Sequence, residues 1–354
     1  MSMREVLGDL EVSARESLDP VVWHYISRGS GTGQSVQEAE TSWDGWRLRP
    51  RVLRDVSRVR TSSAVFGDWD TPIGIAPTAF HRLVHPEGEV ATARGAVAAG
   101  APFVLSSRST VPIEQVAQQV AGAPWWFQVY LMRDGTISDA LALRAAASGA
   151  RALVLTGDTP YLGYRPRAGQ TRPLPLGQEL ELTGVRPHLP AGITDPWPLI
   201  DQTPHQTMAD IGRLAELTGL PVIVKGVLRA DDARTCVEAG AEGVWVSNHG
   251  GRQLDGAVPP AWALPEVVAA VGDRVPIFAD GGIRGGRDAL VAIALGACAV
   301  FVGRPALWAL ADGGADGVET MLTGLRDELA HLMGLAGARD LAHLDRSLVT
   351  RLPS

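Results

Sequence analysis

The sequence predicts an α/β fold: a (β/α)8 barrel carrying an N-terminal helical extension and one long proline-rich loop after its fourth strand. The first observation is a unit that recurs from Thr71 onward, in which an apolar segment of strand length gives way to polar residues and then to an alanine-rich stretch with helical spacing. The second is its number, since eight such units suit a closed parallel barrel and 354 residues suit one barrel with additions. The third is where the polar residues fall, at or just past the C-terminal end of each apolar segment. A barrel gathers those ends into one ring, whereas a doubly wound open sheet, built from the same unit, would spread them along an edge.

Taken in order, residues 3 to 29 read as two short helices, with Asp19 and Pro20 as cap and first-turn residue of the second and Val21, Val22, Tyr25 and Ile26 on its apolar face. They belong to an N-terminal extension, 1–60, of a single domain spanning 1–354. Strands are expected at Ile73–Ala76, Phe103–Ser106, Trp126–Tyr130, Ala152–Thr156, Val222–Lys225, Val244–Ser247, Ile277–Asp280 and Val300–Gly303. Helical spacing marks Glu87–Ala99, Ser138–Ala147, Ala230–Ala239, Arg287–Leu295 and Val318–Leu332, each placed to pack outside its strand. The connection 166–205 is different, because Pro173, Pro175, Pro187, Pro190, Pro196, Pro198 and Pro204 forbid a regular helix. It reads either as a semi-rigid flap over the barrel mouth or as an excursion without a role. Trp197 is isolated there, without a sustained basic or apolar face, so membrane docking is not expected.

Composition excludes several classes. With 45% hydrophobic and 20% charged residues and a net charge of -7, the chain is an ordinary globular protein without the basic concentration that nucleic acid demands. Cys236 and Cys298 are too few and too isolated for a disulfide framework or a cysteine metal site, which points to a reducing cytoplasm and to no metal. Met1 to Pro20 lacks the apolar core of a signal peptide, and no later run is long enough to span a bilayer. The expectation is a soluble, cytoplasmic protein.

The chemistry concentrates in Val244 to Gly256, where a buried-strand pattern runs into a turn holding His249, Arg252 and Asp255 beside paired glycines. His249 can exchange a proton near neutral pH, and Arg252 can fork onto a carboxylate. Around it the other strand ends supply Pro77, Thr78 and Ala79, Ser106, Gln128 and Tyr130, Thr156 and Asp158, Lys225, Ser247, Asp280, and Gly303 with Arg304. Barrels often bind phosphate with the loops after strands seven and eight, and here Asp280-Gly281-Gly282 through Arg284, with Gly303-Arg304, offers freed N–H groups and two guanidiniums.

The run Ser247-Asn248-His249-Gly250-Gly251-Arg252-Gln253-Leu254-Asp255 resembles the active-site signature of the FMN-dependent 2-hydroxy-acid oxidising enzymes, the family of glycolate oxidase, lactate oxidase and mandelate dehydrogenase. Trp23-His24-Tyr25 ending at Arg28-Gly29-Ser30-Gly31, and Asp158 through Arg165, resemble two further segments of that family. The resemblance implies FMN as cofactor, and the absence of a separate adenine-binding unit favours it over FAD. Ser106, Gln128 and Thr156 would bond ring or ribityl groups, Ala79 would offer backbone atoms near N5, and Lys225 would supply positive charge to the reduced ring. Arg165 and Arg252 would pair with the substrate carboxylate, with Tyr25 and Tyr130 as hydroxyl donors. His249 would be the general base, oriented by Asp158. The implied reaction oxidises an (S)-2-hydroxy acid to a 2-oxo acid, with O2 reoxidising the flavin to give hydrogen peroxide, in a homotetramer such as related enzymes form. A dehydrogenase serving a quinone or protein acceptor is the alternative, and a non-catalytic flavin-binding barrel the alternative of another class.

Three positions depart from the pattern. Ser35 and Ala39 stand where the family usually has threonine and asparagine, and Arg108 stands where an aromatic residue usually borders the substrate side chain. Arg108 either contacts a polar or acidic substituent or turns to solvent, while Phe80 and the tryptophans leave room for an aromatic, mandelate-like acid.

Overall fold

The computed structural model describes residues 1–120, 122–165, 175, 177, 180 and 182–352. The N-terminal segment folds as α1 (Met3–Ser17), α2 (Pro20–Ser27) and α3 (Gln34–Thr41). Local chemistry fixes the first two starts. The Ser2 side chain accepts from the Glu5 N–H while Glu5 Oε2 accepts from the Ser2 N–H at 2.7 Å, a reciprocal cap, and Asp19 Oδ1 accepts from the Val21 N–H at 2.7 Å ahead of Pro20.

The eight expected strands all form, as β1 (Ile73–Ile75), β2 (Val104–Ser106), β3 (Trp126–Val129), β4 (Ala152–Thr156), β5 (Val222–Val227), β6 (Gly243–Val246), β7 (Ile277–Asp280) and β8 (Ala299–Val302). Each pairs parallel with its sequence neighbour from β2 to β8, and β8 returns to β1. A parallel bridge between Ile75 and Phe103, with the Ile75 N–H donating to Pro102 O at 2.9 Å, joins β1 to β2 and closes the barrel. Their near-continuous apolar character follows from burial on both faces.

Around the barrel run α4 (Glu89–Ala98), α5 (Ile113–Gln119), α6 (Gly135–Ala147), α7 (Ala209–Thr218), α8 (Ala230–Glu238), α9 (Pro260–Val271), α10 (Gly286–Ala294) and α11 (Arg304–Leu335). The expected helix at Val318–Leu332 is the second half of α11, which breaks at Gly313 and Gly314, the latter at φ 57°. α9 escapes sequence reading because Pro260 and Pro265 both lie within it; the first is tolerated in the opening turn, where its missing N–H has no partner to lose.

Strand alternation divides the interior from the helix layer. Trp126, Trp245, Phe278 and Phe301 point inward and pack edge to face or tilted, with the Trp245 and Phe301 centroids 4.1 Å apart. The hairpin of Ser63–Ala64 and Asp68–Trp69 brings Phe66 against Trp126, whose indole N–H donates to Phe66 O at 3.3 Å, and so plugs the N-terminal end of the barrel. Trp46–Leu48 pairs antiparallel with Val349–Arg351, tying the C-terminal residues back to the N-terminal segment. Most of 166–181 lies outside the described residues; further on, Trp197–Ile200 forms one helical turn and Gln202 bridges to Met132. Among the described residues no helix is long and apolar enough to cross a membrane.

Candidate active site

Moving two residues along each strand from the inward aromatic layer reaches the next inward position, and there the chain places polar groups. Gln128 follows Trp126, Thr156 follows Val154, Lys225 follows Ile223, Ser247 follows Trp245 and Asp280 follows Phe278. Gln128, Thr156, Lys225 and Asp280 floor a cavity of about 350 Å³ at the C-terminal mouth of the barrel, with Ser247 directly behind them. Of the residues assigned a catalytic, substrate or cofactor role from the sequence, all but Asp158 and Ser247 line it.

The floor is internally bonded. Gln128 Nε2 donates to Thr156 Oγ1 at 2.9 Å, and Gln128 Oε1 accepts from Ser106 Oγ at 3.1 Å. Lys225 Nζ lies 2.8 Å from Asp280 Oδ2 and donates to Ser247 Oγ at 2.7 Å, and Ser247 donates to Asp280 Oδ1 at 2.5 Å. Side-chain exposures of 5% for Lys225 and 8% for Asp280 make this a buried ion pair, so the ammonium at the strand end is balanced at once by a carboxylate. Ser247 Oγ also accepts from the His249 N–H at 3.0 Å, which carries the order of the floor into the turn above.

His249 sits in that turn at φ 58°, followed by Gly250 and Gly251 at φ 62° and 71°. Left-handed backbone is strained for a histidine and unstrained for the glycines, and it turns the imidazole over the cavity. Nδ1 is 2.9 Å from Asp158 Oδ1. Because a carboxylate only accepts, Nδ1 carries the proton and Nε2 keeps its lone pair. Burial alone would raise the Asp158 pKa, but the facing His249, its hydrogen bond and Lys225 hold the carboxyl below its ordinary value.

Beside this pair stand groups suited to an organic anion. Arg252 donates from Nη1 to the Tyr25 and Arg28 carbonyls at 2.8 and 3.0 Å, at the C-terminal end of α2, and its guanidinium lies 4.9 Å from the Tyr25 ring centroid. Burial and then the neighbouring Arg252 lower the Arg165 pKa, and burial followed by the Asp158 charge raises that of Tyr130. Arg108 is held by Nη2 donating to Ile200 O at 2.6 Å, with its guanidinium 5.8 Å from the Trp197 ring. It lines the cavity and is 7% exposed, so the solvent-facing alternative for its side chain is not what the fold adopts.

The opposite end gathers positive charge. Arg304 donates to Ile26 O and Gly250 O at 3.1 and 2.9 Å, while Arg284 donates to Glu40 Oε1 and lies over the Trp308 ring. Burial, then Arg252 and Arg284 nearby, bring Arg304 down to about 9 against the opposing pull of Glu40 and Glu11. Gly281 and Gly282 take φ 94° and 78°, and a Cβ on Gly282 would stand 1.9 Å from Ala39 O. Bare glycine backbone beside half-buried guanidiniums suits a phosphate group.

Several contributors are assigned no role from the sequence. Gln253 Nε2 donates to the Asp158 and Tyr161 carbonyls at 2.9 and 2.8 Å, holding the loop that carries the Asp158 carboxylate. Asp255 accepts from the Thr32 and Ser35 N–H groups at 2.7 and 3.0 Å, which keeps its carboxyl at about 2 and docks the start of α3 on the His249 turn. Both lie in the recognised motif, so the motif was the available cue. Buried His81 lies between the Thr78 and Thr92 hydroxyls, 2.6 and 2.7 Å away, behind the cavity wall. Nothing in the spacing of His81 or Glu40 marks them.

The family model for FMN-dependent dehydrogenases matches residues 14–351. A 4-hydroxymandelate oxidase of Amycolatopsis orientalis is 42% identical over 98% of both chains, and an L-lactate oxidase of Nostoc sp. is 41% identical over 97% of both. A crystal structure of mandelate oxidase with (S)-4-hydroxymandelic acid superposes with a TM-score of 0.87 at 40% identity, covering 97% of this chain and 98% of that one. On the family match and these relatives, the chain belongs to the FMN-dependent dehydrogenase family and is an FMN-dependent oxidoreductase.

Proposed function

We propose that this protein oxidises an (S)-2-hydroxy acid to the corresponding 2-oxo acid and delivers the electrons to O2, releasing hydrogen peroxide. The observation that carries the reading is the His249–Asp158 pair, 2.9 Å apart, set over a cavity that also presents Arg252, Arg165, Tyr25 and Tyr130. A base flanked by guanidiniums and phenols is what removing a proton beside a carboxylate requires. The relatives named above as oxidases support O2 as acceptor.

The residues present fit FMN. Arg284, Arg304 and the N–H groups of Gly281, Gly282 and Gly303 would hold the phosphate; Ser106, Gln128 and Thr156 would bond the ribityl chain or ring edge; and Pro77, Thr78 and Ala79 would border the ring. Bound there, FMN supplies a two-electron acceptor. Lys225 contributes with Asp280 as a fixed dipole rather than a lone charge. Asp280 and Ser247 hold it in place.

For the substrate, Arg252 and Arg165 bind the carboxylate, and Tyr25 and Tyr130 donate to the carboxylate and hydroxyl oxygens. His249 Nε2 accepts a proton from the α-carbon or the hydroxyl, and Asp158, ionised at neutral pH, stabilises the imidazolium that results. The substrate side chain then extends toward Arg108 and Trp197. The 4-hydroxymandelate oxidase at 42% identity supports an aromatic side chain there, with Arg108 at its polar end. The flap expected at 166–205 falls partly outside the described residues, and of its described part Trp197, Asp201 and Gln202 line the mouth; 1–60 serves as an extension of one catalytic domain, and the protein works as a soluble cytoplasmic homotetramer.

Oxygen uptake and product formation test the reading together. With (S)-mandelate, (S)-4-hydroxymandelate and (S)-lactate as probes, at least one should give hydrogen peroxide and 2-oxo acid in equal amounts. Oxo-acid formation without matching peroxide would reject O2 as the acceptor; no flavin bleaching by any 2-hydroxy acid would reject the substrate class.

A further inference from the structure

We infer that Glu40 is a built-in counter-ion that competes with the phosphate of FMN for Arg284, so that this carboxylate weakens the protein's hold on its own cofactor. The inference rests on the placement of the FMN phosphate at Arg284 and Arg304 proposed above. Glu40 lies in the last turn of α3, and the packing that brings it there is unusually close, since a Cβ on Gly282 would meet Ala39 O at 1.9 Å and Glu40 N at 2.7 Å. The phosphate loop and the end of α3 are thus pressed together, and the Glu40 side chain reaches over the glycines to accept from Arg284 Nη2 at 2.5 Å.

The two partners are unequal. The Arg284 side chain is 11% exposed and lines the cavity, fixed by Nη1 donating to Ile283 O at 3.0 Å and by the Trp308 ring 5.1 Å away. Glu40 is 40% exposed, at the end of a helix, and can swing into water at little cost. A second carboxylate, Glu11 of α1, faces the same two arginines and Glu40; burial first, then Glu40, raises its pKa. Glu11 and Glu40 together carry the charge that a phosphate dianion would bring to Arg284 and Arg304. A dianion entering beside them must displace the Glu40 contact and tolerate the repulsion that remains, and both effects lower affinity. Had Glu40 served only to position Arg284, the pair would be expected to be buried on both sides, which it is not.

The test measures the dissociation constants of FMN and of riboflavin, which lacks the phosphate, on the full chain stripped of flavin, by quenching of flavin fluorescence. Glu40→Gln keeps the size of the side chain and removes its charge. It should tighten FMN about two- to fivefold, the size expected for a partly exposed ion pair, and leave riboflavin unchanged. Glu11→Gln should shift FMN in the same direction by less. Unchanged or weaker FMN binding by Glu40→Gln would overturn the inference, as would equal tightening of both flavins. Arg284→Met separates this from the parent reading, because it should weaken FMN and spare riboflavin. If it does not discriminate between them, the phosphate placement fails and the inference fails with it; if it does and Glu40→Gln has no effect, the inference alone fails.

Discussion

At the level of single residues, the site works through pairs whose members are meaningful only together. Lys225 alone would read as a cation for a reduced flavin, but its distance of 2.8 Å from Asp280, with both side chains under 10% exposed, makes it half of a buried ion pair. Breaking such a pair leaves a charge without compensation in a place where water cannot replace the partner. Lys225→Met is therefore expected to destabilise the fold by about 3–5 kcal/mol, read from urea denaturation, and Lys225→Met with Asp280→Leu should recover part of that loss. Equal stabilities for the single variant and the wild type would mean that the pair is solvated. His249 and Asp158 form the other pair, in which the carboxylate selects the tautomer and leaves Nε2 as the basic atom.

At the level of elements, the barrel's strand ends matter less by themselves than through the loops pressed against them. Gln253 and Asp255 show how one motif does this, the first gripping the carbonyls of the 158–161 loop and the second the N–H groups that open α3. The glycine loop after β7 is held by the opposite means, a lack of side chain. Gly282→Ala would combine an unfavourable φ of 78° with a Cβ 1.9 Å from Ala39 O. Either the loop or α3 must move, at a cost above about 1 kcal/mol, and FMN affinity should fall with it. A variant with unchanged melting temperature and FMN affinity would show that α3 does not abut the loop in solution. The elements were unequally legible in the sequence. All eight strands were visible because apolar segments capped by polar residues recur along the chain, whereas α5 and α7 went unmarked, α9 was hidden by Pro260 and Pro265 and α11 was half-hidden by Gly313 and Gly314. At α9 and α11 packing overrides a local residue choice.

At the level of the molecule, the cavity joins the N-terminal helices to the barrel. Arg252 and Arg304 donate to carbonyls at the end of α2, Arg284 to Glu40 of α3, and Met3 N–H and Gly286 N–H both reach Glu328 on α11. A ligand bound to those arginines draws on both parts, so FMN should stabilise the whole chain rather than a loop. At FMN about 100-fold above its dissociation constant, the stripped chain should gain about 2.7 kcal/mol, seen as one cooperative shift in melting temperature, and riboflavin should give less. A shift confined to part of the transition would show the N-terminal helices to be independent of the site. How much of this joint was legible follows from its chemistry. The residues proposed as base and phosphate ligands lie beside glycines at strand ends and could be read, but contacts behind them, Glu40 to Arg284 and His81 to Thr78, run between segments with no shared pattern. Only the fold brings such partners together.

The central claim is that His249, oriented by Asp158, is the base of a 2-hydroxy-acid oxidation. The most direct measurement is rapid mixing of the FMN-loaded protein with (S)-mandelate under nitrogen, following the flavin absorbance in the wild type and in His249→Gln. The wild type should bleach fully, and the variant should retain its flavin but bleach at a rate lower by about 10²–10⁴, the usual contribution of a positioned base. A variant that reduces its flavin at nearly the wild-type rate would contradict it.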